Sequence, residues 1–193
     1  KMKNIYIILI LIFSFTIFSC AKKSDTSSTT TTTEVEGTWS AACYVGTDNN
    51  SHKNTIKISG TDVIAKGEVH SDSSCNTDYY TWEDTYSSLS IGDEIIFASE
   101  ATGHKYTFNL VSYTFAYHTT ASVSDLNTAS TCGVSWVLDT ATDVTGKTCG
   151  STTFDVANTS FLGVYKLVGN NLFLSGFNST GTYPTKVSNT VTY

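Results

Sequence analysis

The densest grouping of side chains able to handle protons or a metal lies in one short stretch, where Glu68, His70 and Asp72 recur at every second residue. In an extended strand that spacing places all three on one face, where two carboxylates flanking an imidazole could bind a divalent ion or exchange protons. The neighbouring residues argue otherwise. Val63, Ala65, Gly67 and Val69 alternate with the same period and take the buried face, so the polar triplet is expected to point to water. His104 and His118 bracket an aromatic stretch and read as rim or surface residues, while Glu83-Asp84 and Asp93-Glu94 read as solvated turn charges. The chain contains no Gly-x-Ser-x-Gly, no His-Glu-x-x-His, no phosphate-cradling glycine loop and no dinucleotide fingerprint. No catalytic residue, metal ligand or cofactor is expected, and the expected function is not enzymatic.

Aromatic side chains are the stronger lead. Trp82, Tyr106, Phe108, Tyr113, Phe115, Tyr117 and Tyr165 are the candidate ligand-binding residues; with Phe173 they could line a cavity for a small hydrophobic molecule. The same rings would equally fill the interior of a small barrel that has no cavity, because aromatic side chains dominate core energetics in any case. Two functions follow from these alternatives. One is a module that binds a small hydrophobic ligand; the other is a structural or interaction protein that presents acidic, Thr/Ser-rich loops to an envelope partner.

Five cysteines are present. Setting Cys20 aside leaves Cys43, Cys75, Cys132 and Cys149, an even number that suggests two disulfides in an exported domain. Of the three possible connectivities, Cys43–Cys75 with Cys132–Cys149 closes the shorter loops, each bridge contributing on the order of 3–4 kcal/mol in a chain-entropy description. A zinc site is the competing idea, and the absence of Cys-x-x-Cys or of closely spaced Cys/His pairs speaks against it. The 11 basic residues are all lysine, against 17 acidic ones. A chain without arginine and with net charge −6 is poorly suited to nucleic acid, which requires a basic surface.

The elements that must hold these residues are strands. Ile56 and Ile58 alternate up to a Gly60-Thr61 turn, and Val63 to Val69 return as the second arm of a hairpin. Tyr80, Trp82 and the stretch toward Leu89 and Ile91 form the next strand, with a turn at Gly92-Asp93 into Glu94–Ala98. In the run Lys105–His118 the apolar phase changes: Tyr106, Phe108 and Leu110 are even-numbered, whereas Val111, Tyr113, Phe115 and Tyr117 are odd. Such a change requires a β-bulge or a bend. Gly169-Asn170 joins Ser160–Val168 to Asn171–Phe177 as a tight hairpin. Val123–Ala129 is the one helical segment, capped by Ser122 with Asp125 in its first turn. About eight strands joined by short turns predict an all-β fold, an antiparallel up-and-down β-barrel with one short helix; a β-sandwich is the alternative.

The N-terminus reads as an export signal over residues 1–19. Lys1 and Lys3 precede an unbroken apolar run from Ile5 to Phe13, which is too short for a comfortable membrane span. Ile17-Phe18-Ser19-Cys20 resembles the lipobox of bacterial lipoproteins, which implies lipidation of Cys20. Residues 20–33 are then a lipid-bearing Cys and a Ser/Thr-rich flexible tether, and 34–193 the folded domain. Loss of residues 1–19 removes two lysines and no acid, so the formal charge moves from −6 to −8. Ala21 after the cysteine, rather than Asp, favours the outer membrane of the cell envelope under the sorting rule of enteric bacteria. Gly37-Thr38-Trp39, placed just after the tether, resembles the Gly-x-Trp that opens the first strand of lipocalins, where the Trp packs across one end of the barrel. Together with Ser74-Cys75, Ser130-Thr131-Cys132-Gly133, Trp136 and Asp143–Gly150, it is similar to a group of small bacterial lipoproteins with a lipocalin-like barrel domain. The resemblance implies that fold and a membrane partner reached through the lipid, and it brings no activity. The intact protein extracted from its membrane should begin at Cys20 and carry acyl mass, and a Cys20→Ser variant should carry none; mass spectrometry of the two reads this directly.

Overall fold

The computed structural model describes residues 34–97, 102–179, 181–187 and 192–193. The signal segment, Cys20 and the tether lie outside the described residues.

The domain is all-β. Strands β1 (Gly37–Ser40), β2 (Tyr44–Val45), β3 (Ser51–Ser59), β4 (Asp62–His70), β5 (Asp78–Ile96) and β6 (Thr102–Tyr117) come first. Helix α1 (Thr120–Thr128) and the short strands β7 (Thr142–Asp143), β8 (Thr148–Cys149) and β9 (Thr152–Thr153) form an excursion before β10 (Ser160–Val168) and β11 (Asn171–Leu174). The main sheet runs β1-β3-β4-β5-β6-β10-β11, every pair antiparallel, and curls into a nearly closed, lipocalin-like up-and-down barrel of seven strands. Beside this path β2 pairs with β3 and β7 with β6, while β8 and β9 make a separate hairpin. The sandwich alternative is thereby set aside. At the open seam Tyr193 exchanges two backbone hydrogen bonds with Leu172 of β11, of 2.9 and 3.2 Å.

The core is where the alternation places it. Ile56, Ile58, Val63, Ala65, Tyr86, Tyr106, Phe108, Leu110, Phe161, Tyr165 and Leu172 form one buried cluster, with Val35 beneath it and Trp39 and Trp82 packed on its flank. Trp39, on β1 opposite Ile56, donates its indole N–H to the Val35 carbonyl at 2.8 Å. The phase change in β6 is a bulge. Thr85 stands opposite Ser112 and Tyr86 opposite Leu110, so Val111 has no partner and its side chain is 45% exposed. Beyond it Tyr113, Phe115 and Tyr117 stand opposite Asp84, Trp82 and Tyr80, on the face that carries Tyr106 and Phe108 inside the barrel.

Two expected features come out differently. Gly92-Asp93 is a bulge within β5, where both residues stand against Lys105, and the strand continues to Ile96 without reversing. Helix α1 starts earlier than its apolar residues suggest: Thr119 is the cap and accepts from the Ser122 N–H at 3.2 Å. The hairpin at Gly169-Asn170 forms as expected, with β11 ending at Leu174. Both disulfides pair sequentially, Cys43 with Cys75 and Cys132 with Cys149.

Deleting Val111 should turn either Leu110 and Phe108 or Tyr113 and Phe115 to the wrong face. Urea titration should then show a loss of at least about 3 kcal/mol, the burial of two large side chains. Val111→Thr, at the same exposed position, should stay within about 0.5 kcal/mol of the parent.

Candidate functional site

Six of the seven candidate ligand-binding residues separate into two environments. Tyr106, Phe108 and Tyr165 belong to the closed interior, ringed by Val35, Ile56, Ile58, Val63 and Leu172. The space left there is about 30 Å³, room for one water-sized molecule. Close ring packing explains this: Tyr86 and Phe108 centroids are 4.2 Å apart, and Phe177 comes to 5.1 Å from Phe108. Burial pushes the Tyr106 and Tyr165 hydroxyls well above the usual phenol range, and Tyr165 also donates to Glu34 at 2.7 Å. This part of the barrel is a filled core.

Trp82, Tyr113 and Phe115 line something different. Past the bulge, the long ends of β5 and β6 carry the barrel's lining face beyond its closed part. There Tyr80, Trp82, Asp84, Tyr113 and Phe115 form the floor of an open cleft of about 420 Å³. The facing wall is Thr153-Phe154-Asp155, which begins on the last residue of β9. Phe154 packs on Tyr113 and Phe115 at 5.5 and 5.6 Å, and Tyr80 lies 6.2 Å from Phe115. Tyr117 falls just outside, against Trp136 (5.3 Å, edge to face), around a smaller recess of about 70 Å³ beside the Cys132–Cys149 bridge.

Local sequence explains each wall. Gly67 on β4 stands opposite Trp82, and any β-carbon there would run into the indole, so the glycine is what lets the ring approach the neighbouring strand so closely. The wall segment is bonded to residues 146–147, the Phe154 N–H donating to the Lys147 carbonyl and the Gly146 N–H to the Asp155 carbonyl, both at 3.0 Å. The stretch just before them is held to β6 by Asp143 and Thr145. Asp143 accepts from the Thr145 N–H at 2.8 Å, the Thr145 hydroxyl accepts from the Tyr113 N–H at 2.8 Å, and the Val144 N–H reaches the Tyr113 carbonyl at 2.9 Å. Val144 is fully buried beneath it. Trp136 is fixed in turn by Asn127 of α1, whose side chain makes hydrogen bonds of 2.8 and 2.9 Å to its backbone.

Asp84 is the residue the sequence reading missed. It is no turn charge: it sits in mid-strand opposite Ala65 and Tyr113, on the lining face, with its neighbour Glu83 on the other side. The signal was present in the spacing, since Tyr80, Trp82, Asp84 and Tyr86 share one parity and therefore one face. Burial pushes its carboxyl up to about 7; the Tyr86 hydroxyl, donating at 3.2 Å, opposes this and the Glu83 charge adds to it. Burial likewise raises Tyr86 strongly, and Tyr113 is pushed up to about 12 by burial and by the charges of Asp84 and Asp155.

The polar triplet at and just past the end of β4 is also only partly as expected. Glu68 pairs with Lys66 at 2.8 Å, and Asp72 accepts backbone N–H groups of Ser74, Asn76 and Thr77, which fastens the loop beside Cys75. His70 does not face water. It keeps the outer-face parity of Glu68 and stands opposite Ser51 of β3, yet it is covered there to 2% exposure, with Nδ1 3.0 Å from Asp78. No group of three His, Cys, Asp or Glu side chains suited to a metal exists among the described residues. His104 stacks on Tyr165 at 5.6 Å, and His118 pairs with Asp139 at 2.7 Å, both half-buried. The chain matches no protein-family model and no curated protein.

Asp84 has a pH consequence whose sign is fixed. Its folded-state value lies above its ordinary 3.8, so between about pH 4 and 7 the unfolded chain releases a proton that the native state keeps. The stability this site contributes is therefore full below about pH 4 and falls as pH rises to about 7, then stays level. Relative to the parent, Asp84→Asn should gain stability across that window, by on the order of 2 kcal/mol once screening at the open side of the cleft is allowed for. Urea titrations of both proteins at pH 4, 6 and 8 measure the difference.

Proposed function

We propose that this chain is a lipid-anchored lipoprotein of the bacterial cell envelope that binds a small, largely apolar ligand in the aromatic cleft at the open end of its barrel. The observation that carries the reading is the contrast between the two ends of one lining face. The closed part is filled to about 30 Å³, whereas the extended part leaves about 420 Å³ bordered by five aromatic rings. A volume of that size is within the range of small-molecule sites, and the few polar groups among the rings could orient a ligand. The residues around the cleft supply no nucleophile with an adjacent base, so the reading is one of binding rather than catalysis. Anchoring rests on residues 1–20, and the outer-membrane assignment on Ala21.

A second reading, a structural or interaction lipoprotein with no ligand, draws support from the filled interior.

Titration with a neutral, environment-sensitive dye separates the two. The binding reading expects saturable uptake at one site, weakened about fivefold or more by Trp82→Ala and by Phe154→Ala, the scale of one aromatic contact. Tyr165→Phe, in the closed interior, should leave the dye affinity unchanged. Absence of saturable uptake favours the second reading.

A further inference from the structure

We propose that the cleft selects organic ammonium cations, held between the faces of its aromatic rings and the carboxylates of Asp84 and Asp155. The inference rests on the ligand-binding reading above and narrows it to one class of ligand.

Three observations converge. The first is the company the two carboxylates keep. Asp84 lies in the floor and Asp155 on the wall, and among the described residues neither has a lysine or histidine within 4.0 Å. Every other residue bordering the cleft is aromatic apart from Thr153. An anionic ligand such as a fatty acid would thus bring its own charge beside two carboxylates with no basic residue to meet it.

The second is the state of Asp84. Its carboxyl is partly withdrawn from water, faces the Tyr86 and Tyr113 hydroxyls, and stands beside Glu83 on its own strand. The β4 residue opposite it is Ala65, which offers no charge. A bound cation supplies the compensation that the protein does not. The third is the ring arrangement. Trp82, packed close over Gly67, brings an indole, the strongest of the cation–π partners, to the cleft, and Tyr80, Phe115 and Phe154 stand around it. A cluster of rings alone would accept any apolar body. Rings placed about a desolvated, unpaired carboxylate prefer an apolar body that carries positive charge. The acidic character of the chain, −6 with no arginine, favours approach of such ligands over long range.

Isothermal titration of the purified full chain at pH 8 and low salt tests this with three probes: choline, the neutral alcohol in which carbon replaces its quaternary nitrogen, and hexanoate. Choline should bind at least about tenfold more tightly than its neutral counterpart, and hexanoate should be the weakest. Asp84→Asn and Asp155→Asn should each weaken choline about fivefold or more and leave the neutral alcohol unchanged, which also shows that the variants are folded. Equal or tighter binding of the alcohol or of hexanoate overturns the cation inference and leaves a ligand-binding cleft standing. Failure of all three probes together with the neutral dye overturns both readings.

Discussion

One unpaired residue in β6 organises the molecule. Without a bulge, a sixteen-residue strand that contributes Tyr106, Phe108 and Leu110 to the core would send Tyr113, Phe115 and Tyr117 to the opposite face, because side chains alternate with a period of two. Val111 absorbs the odd residue, so one face of β6 stays turned inward along its whole length. The nineteen-residue β5 is thereby given a partner that keeps step with Tyr80, Trp82, Asp84 and Tyr86. The closed core and the open cleft are two stretches of a single surface. What distinguishes them is only what stands opposite: β10 covers the first half of β6, and the small β7 pairs with the second.

That division also sets the chemistry of each half. Inside the barrel, rings pack on rings and leave no room, which is what a domain needs to offset the entropy of ordering its chain. At the extension, strands β5 and β6 run on past the closed part, and their lining residues are covered by the loop that carries Phe154 and Asp155 and, at Tyr117, by Trp136. A carboxylate is tolerated there because one side remains open to water. Its raised proton affinity measures how incomplete that access is.

Much of this was legible in the chain. The alternation through Ile56 and Val69, the Gly169-Asn170 hairpin and the parity change at Leu110-Val111 are local patterns with local causes, and each folds as its pattern indicates. Sequential pairing of the four cysteines also followed from short-range closure. Where reading failed, a longer-range effect had prevailed over composition. Gly92-Asp93 has turn chemistry, but continued pairing with β6 holds it in strand as a bulge. His70 keeps its outer-face parity on β4, but it and its β3 partner Ser51 are both covered, which alternation alone does not reveal. Asp84 was misread because two adjacent acids suggest a loop, whereas the aromatic residues at even positions on either side already fixed its direction. The division of the seven aromatic candidates was beyond reach: which rings meet a covering strand depends on partners far along the chain.

The far wall of the cleft belongs to no strand of the barrel. It is a short segment tied by backbone bonds to Gly146 and Lys147 and by its own small hairpin, which the Cys132–Cys149 bridge fastens in turn. Specificity and foldability are thereby inherited separately. Descendants of such a chain are free to exchange the residues at positions 153–155, and with them the appetite of the cleft, while the scaffold that carries it is passed on untouched.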